Sequence, residues 1–290
     1  MTPGVLWALV AAIGFAFLQA SNRKSNQLID AYRTAFGLLL AVEVVLLLRV
    51  AFLGRFELLL AVPMNALVLF CVATFFHFVG GWTLLALSQQ QVGFARTGAL
   101  VSAAPIIGTL VAAVGLGEPL TLAVVAGVVL AAVGVALISL SGGVAGDSSW
   151  RRPWLGLSVA AIWGTTPLLI RFGLEHYDYP VEGLTIGLGF SVLGYAVLLT
   201  VARAWRGEVP RQARRWMAIG GVCGAIAVAA QWISFDLTTI AIAITVQQMS
   251  VLLVIALVPV MFRQPFERMN SRFFAGAATM VAGAVLVVLS

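Results

Sequence analysis

The sequence predicts an all-α integral membrane protein of about ten transmembrane helices, arranged as two inverted five-helix repeats. Three observations carry that expectation. Hydrophobic residues make up 61% of the chain and charged residues 10%, with a mean hydropathy of +1.05, whereas soluble domains carry about 25% charged residues. Apolar runs of bilayer-spanning length, about 20 residues, recur from one end to the other. A shift of 149 residues lays the end of the first half over the end of the second.

The candidate spans are 4–21, 31–53, 64–87, 92–115, 119–140, 153–172, 182–203, 214–236, 239–262 and 272–289. None has the alternating polarity of a barrel strand. The first follows an almost uncharged start and lacks a basic n-region, so it reads as a retained helix and not as a signal peptide. Only Ser88-Gln89-Gln90-Gln91 parts the third run from the fourth, and only Gly117-Glu118-Pro119 the fourth from the fifth. Such tight gaps imply antiparallel neighbours. The polar stretch 141–152, SGGVAGDSSWRR, falls at the midpoint and reads as a linker between a first unit, 1–140, and a second, 153–290.

The repeat rests on matches at both ends of the half. Leu6 falls on Leu155, and Val10-Ala11-Ala12-Ile13 on Val159-Ala160-Ala161-Ile162. Glu118 falls on Glu267, Gly127 on Gly276 and Gly134 on Gly283. Residues 118–141 and 267–290 agree at 7 of 24 positions, against roughly two or three by chance. Five helices per half is odd, so the halves insert in opposite senses. Inverted repeats with a solute site near the midplane are the architecture of secondary transporters.

The charge pattern serves topology. Of 17 Lys and Arg, 14 lie on the odd-numbered connections, with the cluster from Arg203 to Arg215 heaviest, and 3 (Arg49, Arg55 and Arg171) on the other side. The positive-inside rule then puts both termini outside the cytoplasm. The net charge of +6 and pI of about 10.1 therefore call for no nucleic-acid partner, and no nucleic-acid motif is present. Cys71 and Cys223 sit in apolar runs without metal spacing and read as small core residues. No P-loop, HExxH or GxSxG motif appears, so the sequence calls for no cofactor, no metal and no enzyme activity.

Ionisable groups within a bilayer are costly and mark functional candidates. His77, in Phe75-Phe76-His77-Phe78, is a candidate for solute binding and proton coupling; the bland reading is a histidine bonded to a neighbouring helix. Glu43 is a second coupling candidate, or a carboxyl paired toward Arg33 or Arg96. Arg96 is a candidate grip for a carboxylate or phosphate, or a side chain snorkelling to the interface. Gln231, Gln247 and Gln248 are candidate solute ligands, or polar glue between helices. Trp82 and Trp163 are candidate aromatic walls, Trp163 beside Pro167, whose ring frees a backbone carbonyl in mid-helix; the bland reading for Trp82 is packing. Glu118 and Glu267 read as structural carboxylates at helix starts. The paired glycines 127/134 and 276/283 permit close helix approach within one protomer or across a homodimer.

Ala99-Leu100-Val101-Ser102-Ala103-Ala104-Pro105, then Leu116-Gly117-Glu118-Pro119-Leu120-Thr121, then Gly127 and Gly134 resemble the drug/metabolite transporter superfamily, in particular its ten-helix EamA-type members. The second copy departs from that pattern: it reads Gln264-Pro265-Phe266-Glu267-Arg268-Met269-Asn270, with Val254 where the first has Pro105. The resemblance implies a multi-pass protein of a bacterial-type cell membrane. It implies movement of a small metabolite or drug-like solute by alternating access, proton-coupled or by exchange, often as efflux. It also implies cytoplasmic termini, against the charge count. A lipid-linked carrier or flippase on the same fold, and an intramembrane enzyme, are the alternatives.

Overall fold

The computed structural model describes residues 2–141, 152–201, 208–262 and 270–290. The inner part of the expected linker, and with it Glu267, lies outside the described residues. Every regular element described is a helix. The first half holds α1 (Pro3–Asn26), α2 (Ala31–Phe52), α3 (Met64–Gln91), α4 (Phe94–Val101 and Ala104–Leu116) and α5 (Leu122–Ser141). The second holds α6 (Trp154–Leu174), α7 (Pro180–Val201), α8 (Arg211–Leu237), α9 (Ile240–Gln247 and Ser250–Phe262) and α10 (Ser271–Leu289). Nine of these are long and apolar enough to cross a membrane, and α9 consists of two shorter apolar pieces.

Local chemistry sets the ends. Asp30 caps α2 by accepting from the Arg33 N–H, Thr239 caps α9 from Ile242, and Asn270 caps α10 from Phe273; each satisfies an amide that has no helical partner. Gly117 closes α4 in the left-handed region, at φ +68°, where glycine carries no steric cost. Arg23 and Lys24 fall in the last turn of α1, where cations suit the dipole.

The structure departs from the expected continuous helices in four places. A five-residue helix, Phe56–Leu60, occupies the connection between α2 and α3. Within α3, Phe75–Trp82 is wound as a π-helix. Helices α4 and α9 are each broken near their middles, at Ser102-Ala103 and Gln248-Met249.

The large apolar side chains left outside include Phe52 and Val114, each 91% exposed. Exposure of that extent on helix after helix suits lipid. Inside, the helices interlock across the halves. α1 packs on α8 and α9 as α6 packs on α3 and α4, and α2 meets α8 as α7 meets α3. α5 lies along α10 at backbone contact. A Cβ on Gly127 would fall 2.8 Å from the Gly283 carbonyl oxygen, and one on Gly134 2.6 Å from that of Gly276. The paired glycines are thus used within the chain, which removes their support for a homodimer.

Candidate functional site

A cavity of about 120 Å³, measured by the centres of water-sized spheres, lies in the middle of the bundle. One water needs roughly 10–15 Å³ on that measure, so the space suits a small solute. Its wall draws on α1 to α4 and on α6, α8 and α9. Val101, Ala104 and Pro105 come from the break in α4, and Gln247, Gln248 and Ser250 from the break in α9. Interrupted helices at corresponding places in two halves are the usual builders of a transport site, because an interruption presents backbone and polar groups at membrane depth. No Asp, Glu, Lys or Arg is among the described residues that line the cavity.

Of the residues singled out from the sequence, His77, Trp82, Trp163, Gln231, Gln247 and Gln248 share this wall. His77 bonds through Nδ1 to Thr166 Oγ1 at 2.7 Å, and its ring lies 5.8 Å from Trp163 at an interplanar angle of 23°. Trp163 in turn donates from Nε1 to the His77 carbonyl at 3.2 Å. Gly81 leaves room for that indole, since a Cβ there would come within 2.4 Å of Nε1. The histidine is therefore both bonded to a neighbouring helix and part of the cavity wall. Gln231 and Gln247 bond to each other at 2.8 Å, and Gln19 donates to Ser250 Oγ at 3.3 Å.

Other candidates lie elsewhere. Arg96 is half-buried and off the cavity wall. Glu43 is also off the wall. It is 5% exposed, its Oε1 lies against Gly189 of α7, and its Oε2 has no hydrogen-bond partner among the described residues. The expected pairing toward Arg33 is not made, because that guanidinium bonds Asp30 at the head of the same helix.

Glu118 corrects the sequence reading in one respect. It caps a helix start, but of α9 and not of the α5 that follows it: its Oε1 accepts from the Ile240 N–H at 2.9 Å. Burial raises its pKa above the usual carboxylate range, against the amides of Ile240 and Ala241 and the charge of Arg171, which pull it down. Arg171, at the end of α6, donates to the carbonyls of Phe235 and Asp236, the latter at 2.6 Å. The turn between α8 and α9 is thus held from both sides, its carbonyls by Arg171 and its amides by Glu118. Ser234 Oγ adds a bond to the Gly4 carbonyl at 3.0 Å.

The same end of the bundle carries a second knot. Arg49 and Arg55 reach the buried Glu182 at 2.9 and 3.2 Å. Tyr177 donates to the Leu58 carbonyl at 2.6 Å. Burial, then Glu182 and Tyr179, pushes its phenol up to about 12, so it stays a neutral donor. All three cations of this side are engaged by the chain's own acceptors. Sequence reasoning missed the Glu118–α9 and Arg49–Glu182 contacts, because 122 and 133 residues separate the partners.

These features are those of a polytopic membrane protein with a cavity among its helices, a build that suits a membrane transporter. Residues 2–140 match the EamA-like transporter family. A probable terminal-alkyne amino-acid exporter of Streptantibioticus cattleyicolor is 35% identical over 111 residues. That match covers 36% of this chain and spans 37% of the relative's length. A solved crystal structure superposes with a TM-score of 0.79 at 16% identity, over 99% of this chain and 98% of that one. This last likeness is one of fold.

Proposed function

We propose that this protein is a secondary transporter that exports a small, net-neutral solute by alternating access between two inverted five-helix units. The observation that carries the reading is the cavity built in part by the broken helices α4 and α9, with no charged side chain among the described residues of its wall. A lone cation or anion in such a wall would lose its hydration without a counter-charge. Solutes that are neutral or zwitterionic avoid that cost. The name of the relative, an amino-acid exporter, supports the zwitterionic choice and the outward direction.

The two ends suit alternation. Asn22, Leu85 and Ala35 carry the cavity wall toward the cation-rich end. At the other end the bonds of Glu118 and Arg171 to the α8–α9 turn act as a latch. The charge count orients the cation-rich end to the cytoplasm, so the cavity loads from inside and the latch releases outward.

Among the described residues of the wall, His77 is the one ionisable side chain, and it is the coupling site in this reading. Reconstituted protein with a pH-sensitive dye inside the vesicles tests it against pooled amino acids, nucleobases and lactams. We expect solute-dependent proton movement. His77→Gln should abolish the pH-driven component and leave solute exchange within about twofold, whereas Glu43→Gln should leave both. Proton coupling that survives His77→Gln and is lost in Glu43→Gln would transfer the role to the α2–α7 interface.

A further inference from the structure

Gln231 on α8 and Gln247 on α9 face one another at the inner part of the cavity wall. Gln231 Nε2 donates to Gln247 Oε1, which is one bond of an amide pair. The second is not made: Gln231 Oε1 and Gln247 Nε2 have no hydrogen-bond partner among the described residues. The two side chains are only 6% and 7% exposed. Exchanging N and O in both amides reverses the existing bond and again leaves one donor and one acceptor, so the pattern does not depend on their assignment. Buried polar atoms are ordinarily satisfied; this complementary pair is covered in the present conformation on two residues that line the cavity, where a ligand reaches and completes it once the wall shifts.

We propose that Gln231 and Gln247 form a two-point fork that selects a net-neutral solute carrying a hydrogen-bond donor and an acceptor on adjoining groups. The donor of the solute meets the free carbonyl oxygen, and its acceptor meets the free amide nitrogen. The fork's neutrality matches the rest of the wall, which holds no charged side chain among the described residues. A solute with one unbalanced charge meets nothing that compensates it. Trp163, lying nearly parallel to His77, and Trp82 offer flat apolar surfaces for the remainder of the molecule. Two kinds of solute present this edge: an α-amino acid, through its ammonium and carboxylate, and a cis-amide ring, through its N–H and C=O.

The fork also explains the placement of the latch. Gln231 lies about two turns before the α8–α9 turn and Gln247 about two turns after its start, so a solute held by both ties together the strands of the hairpin that Glu118 and Arg171 grip. The proposal rests on the transport reading for that coupling, but binding is measurable without transport.

The test is a titration of tryptophan fluorescence and thermal shift on purified protein. Phenylalanine and 2-piperidone carry both functions; phenethylamine, 3-phenylpropionate and N-methyl-2-piperidone lack one. We expect a two-function probe to bind at least tenfold more tightly than its one-function analogues, phenylalanine alone assigning the zwitterion and piperidone alone the cis-amide. Gln231→Met or Gln247→Met should lower that affinity at least tenfold and abolish the advantage of the two-function probes over their one-function analogues. Gln231→Glu should turn the preference toward phenethylamine, a switch that a misfolded variant does not produce. One-function probes binding as tightly, no binding of either two-function probe, or Met variants with unaltered selectivity would each overturn the fork. Selective binding without counterflow in proteoliposomes would instead reject the transport reading and leave the fork standing.

Discussion

The two ends of the bundle spend their polar groups differently. At the cation-poor end, Arg49, Arg55 and Arg171 are all engaged by the chain itself, with Glu182 and with the carbonyls of Phe235 and Asp236. Glu118 holds the first amide of α9. Toward the cation-rich end, the cavity wall carries Gln19, Asn22 and Gln248, and in mid-membrane the fork keeps one donor and one acceptor open. Among the described residues, the cation-poor connections are tied by bonds between distant segments, while the cavity wall keeps polar side chains facing a space. A transporter needs both, since a seal that costs nothing to open would leak, and a site already satisfied by its own chain would bind nothing.

The largest effect that would break this contrast is loss of the latch. Arg171→Ala removes two bonds from a charged donor, each worth about 1.5–3 kcal/mol. Counterflow should fall at least tenfold, and a cysteine replacing the buried Ala241 should become reactive to a membrane-impermeant thiol reagent from the cation-poor side. Unchanged flux and labelling would mean that this end is not a gate.

Next in size is the seam between α5 and α10. Gly134→Leu drives a side chain into the backbone of Met280, whose nitrogen lies 2.4 Å from the added Cβ position. Overpacking of this kind costs about 1–3 kcal/mol, readable as a lower melting temperature in detergent with little change in solute affinity. The same substitution at Gly54, a positive-φ position with nothing within 4 Å, is strained by its backbone alone and should cost less.

A smaller effect separates burial from charge at Glu118. Its pKa is raised in the folded protein, so the associated stability is fully present below the ordinary carboxylate range and is lost as pH rises through the raised value. Glu118→Gln keeps an acceptor for Ile240 and does not ionise. Melting curves from acid to neutral pH should show the two proteins alike in acid and the variant gaining on the parent as pH rises. The opposite slope would mean that Arg171 dominates the site. Smallest of all, Asn22→Ala at the open end should change counterflow by less than about twofold.

The broad plan was legible along the chain. Spans read from apolar runs alone begin and end within a few residues of the helices, because twenty apolar residues in lipid have few options besides a helix that satisfies its own backbone. Five candidate solute residues plus His77 share one cavity because each broke the apolar pattern at mid-span. The interruptions were only half visible: Pro105 stands at the break in α4, while α9 breaks at Gln248-Met249 with neither proline nor glycine to announce it. The π-helical winding around His77 also has no signature in Phe75-Phe76-His77-Phe78 beyond the residues themselves.

By itself, then, the sequence determined the membrane as solvent, the all-helical class and the approximate extent of the apolar helices. All of these follow from the transfer of local groups into hydrocarbon. Tertiary structure alone decided that Glu118 caps α9, that Arg49 and Arg55 meet Glu182, that Glu43 faces Gly189 away from the cavity, and that Gln231 and Gln247 share one bond and leave another open. Those are pairings between groups far apart in the chain, and their geometry depends on how the helices cross, which no local pattern encodes.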